Sequence, residues 1–258
     1  MIEIKNLNKK FGKLDVLNNI NLTFNKGECI ALIGPNGCGK TTLIKSILGM
    51  VIPTTGTIKV NDNLVSESFE YRRQIGYMPQ IGRYPDNMTI GQIIEMITEI
   101  RKSNDVLDEE LLEQFQLKSM FTKSMRTLSG GTTQKVSATL AFLFNPDILI
   151  LDEPTAGLDP LASELLKEKI IAEKKKGKLI LITSHLLSEL DDLITQIVFM
   201  QDGSVQFHKT ISDLKRTTGE DRISKAIASV LKNKQLKTTY PDAEKESKKL
   251  GETVDTIK

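Results

Sequence analysis

Several features that define other protein classes are scarce in this sequence. Tryptophan is absent and cysteine occurs only twice, as Cys29 and Cys38, so the sequence has no disulfide framework and suits a reducing compartment. Apolar runs such as Ile148 to Leu151 are short, whereas a membrane-spanning helix needs about 20 apolar residues. The amino terminus lacks the basic segment and apolar core of a signal peptide. We therefore expect a cytoplasmic protein that does not itself cross a membrane.

An excess of charge of either sign is also missing. The 258 residues include 35 Lys and Arg against 33 Asp and Glu, which gives a net charge of +2 at pH 7. Nucleic-acid-binding proteins usually carry a large local excess of basic residues, so no nucleic acid partner is expected. With 39% hydrophobic and 26% charged residues, the composition is that of a globular protein large enough to bury its own core.

Alternating strand and helix patterns predict an α/β fold with a parallel sheet and helices packed on it. Strand patterns fill residues 1–33 and return at 57–60, 74–78, 148–151, 179–183, 196–200 and 204–207. Helix patterns follow residue 40, cover about 160–175 and pass through Leu187 and Leu190. A helical insertion is expected at about 81–130, where a capping box of Thr89 and Gln92 precedes isoleucines at helical spacing.

A glycine-rich loop lies between an apolar strand and the first helix pattern. It fits G-x-x-x-x-G-K-[ST] and consists of Gly34, Pro35, Asn36, Gly37, Cys38, Gly39, Lys40, Thr41 and Thr42. Small residues let consecutive backbone N–H groups surround a phosphate, and the following helix directs its positive end to the same point. We expect Lys40 to neutralise the β- and γ-phosphates of ATP, Thr41 to bind Mg²⁺ and Thr42 to bond the phosphate chain.

Two carboxylates follow a second apolar strand. Residues Ile148 to Leu151 deliver Asp152 and Glu153 to the carboxyl end of that strand, where ligands gather in open α/β sheets. Asp152 is predicted to hold the Mg²⁺ ion, and Glu153 to polarise a water for in-line attack on the γ-phosphate. Together with the glycine-rich loop, these residues predict ATP hydrolysis.

A second glycine motif, Leu128-Ser129-Gly130-Gly131, lies about 20 residues before Asp152 and resembles the signature of the ABC-type ATPases. Other positions match that family in order over about residues 1–210: Phe11 at the A-loop, Gln80 at the Q-loop, Asp159 at the D-loop and His185 at the switch. The resemblance implies a P-loop NTPase core with a mixed β-sheet, an N-terminal antiparallel β subdomain and an inserted α-helical subdomain. It places an ATPase domain at 1–215 and a C-terminal extension at 216–258, partly helical and then a mobile Lys-rich tail.

The resemblance also implies roles for these positions. Phe11 would stack on adenine, Gln80 would sense Mg²⁺ and the attacking water, and His185 would bond the γ-phosphate. The signature residues Ser129, Gly130 and Gly131 would contact the ATP held by another subunit, and Asp159 would cross the same interface. One motif set per chain therefore implies a head-to-tail homodimer that closes on two ATP molecules.

Most members of the family serve transport, which implies that this chain has a separate multi-span membrane permease as its partner. That permease would bring the chain to the inner face of the cell membrane. The insertion would receive the permease, with Arg83 and Tyr84 as candidate contacts. At finer grain, segments 132–137, 159–163 and 188–192 are similar to the ATPases of transporters that mature the copper sites of nitrous-oxide reductase, which implies export linked to copper-enzyme maturation.

Some points stay open in the sequence, concerning the class of ATPase, the signature and Cys38. A soluble ABC ATPase, such as an iron–sulfur cluster assembly component, would carry the same motifs, whereas an inactive module is disfavoured by the retained catalytic residues. Thr132 stands where the family's signature usually has Gln, which affects fine contacts of that site. Cys38 is either a reactive thiol, acidified by the surrounding N–H groups, or a passive small residue.

Overall fold

A computed structural model describes residues 1–102, 106–184 and 193–239 of the chain. Two β-sheets form its framework. The first has the strand order β2-β1-β4-β5 and is antiparallel throughout, with β1 Ile2–Phe11, β2 Leu14–Phe24, β4 Thr55–Val60 and β5 Asn63–Leu64. The second has the order β10-β9-β3-β8-β7-β6, with β3 Cys29–Ile33, β6 Ile75–Met78, β7 Ile148–Asp152, β8 Leu179–Thr183, β9 Gln196–Gln201 and β10 Ser204–Thr210.

The second sheet is mixed, because β10 alone runs antiparallel to its neighbour while the other pairs are parallel. Its central strands β3, β7 and β8 are buried along their whole length, as expected for strands covered on both faces. The carboxyl ends of β3 and β7 point the same way, so the loops that follow them meet at one edge.

Helices flank this sheet and fill the insertion. They are α1 Lys40–Ile47, α2 Ile90–Arg101, α3 Glu110–Gln114, α4 Gly130–Phe142, α5 Pro160–Lys175, α6 Ile211–Thr218 and α7 Ile223–Thr239. Short 3₁₀ turns occur at Glu70–Gln74, Leu117–Met120 and Met125–Thr127. Among the helices of the described residues, none is long and apolar enough to cross a membrane.

Two apolar cores lie on opposite faces of the mixed sheet. One contains α1 and the inner face of the antiparallel sheet, with Phe24 and Leu43 fully buried. The other joins the insertion to α4 and α5, with Ile93 and Leu166 fully buried. The insertion therefore shares its core with the helix that begins at the signature and with the helix that follows Asp152 and Glu153.

The predicted fold class is confirmed, with a P-loop core, a mixed sheet, an antiparallel N-terminal sheet and a helical insertion. The capping box at α2 is confirmed by reciprocal bonds between Thr89 and Gln92. At the carboxyl end, the helical pattern fades near Lys232, but α7 continues to Thr239, since Lys, Gln and Leu all favour helix. The predicted helix through Leu187 and Leu190 and the tail 240–258 lie outside the described residues.

Candidate nucleotide-binding site

The glycine-rich loop connects β3 to α1 and depends on its glycines for its shape. Gly39, which precedes the first helical residue, has φ 105°, and a Cβ atom there would lie 2.7 Å from the carbonyl oxygen of Val16. Gly34 has φ 150°, and a Cβ atom there would overlap the carbonyl oxygen of Met200. The ammonium of Lys40 lies inside the loop, where it donates to the carbonyls of Gly34 at 2.7 Å and Pro35 at 3.1 Å.

Cys38 is buried within this loop, with only 3% of its surface exposed. Its Sγ lies 3.9 Å from Nζ of Lys40 and would lie 2.9 Å from a Cβ atom at Gly34. The side chain fills the space beneath the loop and does not face the solvent. This packing favours the passive of the two interpretations over the reactive thiol.

The two carboxylates at the end of β7 differ in their hydrogen bonds and backbone conformation. Asp152 ends the strand and accepts a short hydrogen bond from the hydroxyl of Thr183 on neighbouring β8. Glu153 has φ 53°, a left-handed conformation that non-glycine residues seldom adopt and that often accompanies function. The backbone N–H of Glu153 donates to two oxygens of Thr183, to the hydroxyl Oγ1 at 3.0 Å and to the backbone carbonyl at 3.2 Å. These bonds hold the turn after β7. Burial, and then the charge of Asp152, raises the pKa of Tyr77 to about 12, so Tyr77 is a neutral neighbour.

One cleft of about 520 Å³ joins most of the predicted site residues. It is lined by Phe11, Leu14, Val16, Asn36, Gly37, Gly39, Lys40, Thr41, Thr42, Gln80, Asp152 and Glu153. Leu14 and Val16 were missed by the sequence analysis, although they follow Phe11 on the next strand. The ring of Phe11 is about half exposed, and Nζ of Lys9 lies 4.6 Å from its centroid. The cleft thus has an aromatic end and an end rich in phosphate-binding and metal-binding groups.

The signature residues lie elsewhere on the chain. Ser129 caps the amino end of α4, where its Oγ accepts from the N–H of Thr132 at 3.2 Å and lies 2.9 Å from that residue's hydroxyl oxygen. A Cβ atom at Gly130 would meet no atom within 4 Å, so this helix end is open to solvent. Neither these residues nor Gly131 or Asp159 line the cleft described above. His185 lies outside the described residues.

The insertion places its two candidate partner contacts differently. Arg83 is exposed, whereas Tyr84 is half-buried and bonds the hydroxyl of Ser137 at 2.9 Å. Burial raises the pKa of Tyr84, which keeps its ring neutral and tied to α4. Tyr84 therefore supports the insertion from within more than it offers a surface.

An apolar pocket of about 390 Å³ near the end of α1 was not foreseen from the sequence. Ile52 and Phe69 line it and are 80% and 73% exposed. Arg72 borders it, with its guanidinium 5.0 Å from the Phe69 ring and bonded to the carbonyl of Gly49 at 3.0 Å. These residues lie in irregular segments, where periodicity cannot separate exposed apolar residues from core residues.

Known proteins share both the sequence and the fold. Residues 17–156 match the profile of the ABC transporter family. A Nod factor export ATP-binding protein I of Burkholderia lata is 33% identical over 207 residues, which cover 78% of this chain and 68% of the relative. A lantibiotic transport ATP-binding protein, SrtF, of Streptococcus pyogenes is 33% identical over 213 residues, covering 81% of this chain and 90% of the relative.

A solved structure, described as the ATP binding subunit of an ABC transporter, superposes with a TM-score of 0.82 at 30% identity, covering 90% of this chain and 99% of that one. The fold and the cleft together define an ATP-hydrolysing enzyme of the P-loop class. More narrowly, the chain belongs to the ABC transporter family, as an ATP-binding subunit.

Proposed function

We propose that this chain powers a separate membrane permease through ATP-dependent head-to-tail dimerisation. The observation that carries the proposal is the separation of two phosphate-binding elements on one chain. The cleft holds the glycine-rich loop and both carboxylates, whereas Ser129 and Gly130 are exposed and line no part of it. A second copy, rotated head to tail, brings the signature helix of each chain to the ATP of the other and completes both sites.

The cleft residues divide the chemistry among them. Lys40 neutralises the β- and γ-phosphates, and Glu153 polarises the attacking water. Thr41, Gln80 and Asp152 present hydroxyl, amide and carboxylate oxygens, the hard donors that suit Mg²⁺. When bound, Mg²⁺ supplies positive charge against the phosphate oxygens. Phe11 stacks on the adenine, with the apolar side chains of Leu14 and Val16 beside it.

Across the interface, Ser129, Gly130 and Gly131 offer a hydroxyl and the amino end of α4 to the partner's γ-phosphate. Thr132 replaces the family's Gln, and its hydroxyl is bonded to that of Ser129. Hydrolysis removes the phosphate that joins the two helix ends, and the dimer opens. The predicted contact of His185 with the γ-phosphate belongs to the same proposal.

For the permease we propose the apolar pocket as its docking site in place of the insertion, because Tyr84, one of the two contacts expected there, is half-buried and tied to Ser137. An apolar cytoplasmic segment of the permease is the occupant. Exposed Ile52 and Phe69 offer the apolar area, and Arg72 offers a charged edge. The names of the relatives, one for export and one for transport, support a transporter at the inner face of the cell membrane. Their names do not test a cargo linked to copper-enzyme maturation, which stays a prediction.

The docking surface is tested by purifying Phe69→Asp from membranes of its host. We expect this protein to lose its multi-span membrane partner while its ATP binding is unchanged, because Phe69 lies outside the cleft. Val106→Asp is the matched comparison, since Val106 is 92% exposed, lies outside that pocket and belongs to the insertion, the surface expected from the sequence to receive the permease. We expect this variant to keep the membrane partner. Retention of the membrane partner by Phe69→Asp would contradict the docking site. A wild-type chain that recovers only soluble partners would favour the iron–sulfur assembly alternative.

A further inference from the structure

We propose that Lys135 is a positioning residue that locks the signature helix to the D-loop of the same chain, Ala156 to Asp159, so that both move together at the dimer interface. The inference rests on the head-to-tail dimer proposed above and concerns how the signature and the D-loop of each chain are held together in that dimer. Lys135 lies on α4, about one turn beyond the last signature residue Gly131, and lines no part of the nucleotide cleft.

An ion pair makes the first contact. Nζ of Lys135 lies 2.6 Å from Oδ2 of Asp159, and Oδ1 of Asp159 accepts from the N–H of Ala162 at 2.9 Å. Both carboxylate oxygens are thus engaged within the chain, one by α4 and the other by the first turn of α5. These hydrogen bonds, that from Lys135 foremost, lower the pKa of Asp159. Nζ of Lys135 also lies 5.9 Å from the centroid of the Phe115 ring, which belongs to the insertion.

Backbone packing makes the second contact, independently of any charge. A Cβ atom at Gly131 would lie 2.8 Å from the carbonyl oxygen of Gly157, closer than real Cβ atoms approach a backbone oxygen. The signature glycine therefore touches the D-loop directly. At Gly130, one residue earlier, a Cβ atom would meet no atom within 4 Å. The helix start is fixed to the D-loop on one side and free toward the partner on the other.

The two contacts give the interface a mechanical link. In the proposed dimer, Ser129 and Gly130 meet the ATP of the partner chain, and the D-loop of the same chain crosses the same interface. Because Lys135 joins them, a shift of α4 at one ATP is transmitted to the D-loop at the boundary between both sites. Lys135 also supplies the positive charge that neutralises Asp159, a carboxylate that lies at the interface of the proposed dimer.

Lys135→Met removes the charge and keeps an apolar stem. We expect its kcat for ATP hydrolysis to fall about tenfold, because misplacement of an interface group by a fraction of an ångström has effects of that order. KM for ATP should change less than about twofold, since none of the cleft residues is altered. Lys135→Arg, which keeps the charge, should restore kcat. This combination of results distinguishes positioning from simple loss of folded protein.

Lys167→Met is the matched control. Lys167 pairs with Glu164 at 2.9 Å, and the side-chain exposures of this pair, 21% and 66%, are close to the 22% and 51% of Lys135 and Asp159. Unlike Lys135, Lys167 pairs within α5 and does not join the D-loop to α4. We expect wild-type kcat from this variant. A Lys135→Met protein that matches Lys167→Met in kcat would overturn the inference, and so would failure of Lys135→Arg to restore activity.

The dimer itself is checked in parallel with Glu153→Gln, which should remain ATP-bound and dimeric by sedimentation. Dimeric Glu153→Gln together with unaffected Lys135→Met would refute the role of Lys135 and leave the proposed function standing. Monomeric Glu153→Gln would refute both.

Discussion

A buried ion network ties the insertion to α5, and its central acid offers a quantitative test of the fold. Glu173 is fully buried on α5 and pairs with Lys176 at 2.7 Å, with Lys169 at 3.2 Å and with Lys178. Lys169 continues to the insertion, where it meets Asp108 at 2.6 Å and Glu110 at 2.7 Å. Three lysines thus face three acids between the insertion and the carboxyl-terminal half of α5 with the residues that follow it.

The perturbation is Glu173→Gln, which keeps the volume and removes the charge. Breaking a buried ion pair by removing one partner typically costs about 3–5 kcal/mol, since the remaining charge stays buried. The pKa of Glu173 gives a similar free energy. Burial alone would raise this pKa, but hydrogen bonds from Lys176 and Lys178 lower it from 4.5 to about 2. At about 1.4 kcal/mol for each tenfold change in a dissociation constant, this lowering stabilises the fold by about 3 kcal/mol at neutral pH.

The assay is urea and thermal unfolding of Glu173→Gln beside Glu164→Gln, an exposed acid on the same helix. We expect a loss of about 3 kcal/mol, or roughly 10 °C in the midpoint, for the buried acid and under about 1 kcal/mol for the exposed one. A lowered pKa stabilises fully above the unfolded value and progressively less below it, so the difference between wild type and Glu173→Gln should shrink as the pH falls from about 4.5 toward 2. Equal losses for the two variants would refute this reasoning.

Two further predictions concern the glycine motifs. Cys38 is buried, so in the native protein it should resist maleimide and react fully only in denaturant. If maleimide instead removes ATPase activity rapidly, and if ATP or the Cys38→Ser substitution prevents this loss, the reactive-thiol interpretation is restored. Thr132→Val removes the hydroxyl that bonds Ser129, so it should lower kcat about threefold to tenfold with little change in ATP binding; an unchanged kcat would show that Ser129 needs no such support.

The sequence predicted those parts of the molecule whose chemistry is local. The loop from Gly34 to Thr42 and the pair Asp152–Glu153 are contiguous, so their residue types determine their shape, and the parallel strands before them bring both to one cleft. The capping box of α2 is equally local. Strand and helix positions followed from periodicity for the same reason.

Contacts between distant segments were not predictable in this way. Periodicity places Lys169 on a helix, but not opposite Asp108, 61 residues earlier in the chain. Tyr84 looked like a surface contact because nothing local shows that Ser137 lies beside its hydroxyl. The exposure of Phe69 depends likewise on which segments leave it uncovered, which only the assembled fold determines.

The central claim is that each ATP site is shared between two chains, and mixing two inactive variants tests it most directly. Lys40→Ala disables the glycine-rich loop and Ser129→Arg blocks the signature, so each protein alone should be inactive. In a head-to-tail dimer, one chain of each kind restores one complete site. About half of randomly mixed dimers are of this kind, so an equimolar mixture should recover about a quarter of the wild-type rate of ATP hydrolysis. A mixture as inactive as its components would contradict the shared site.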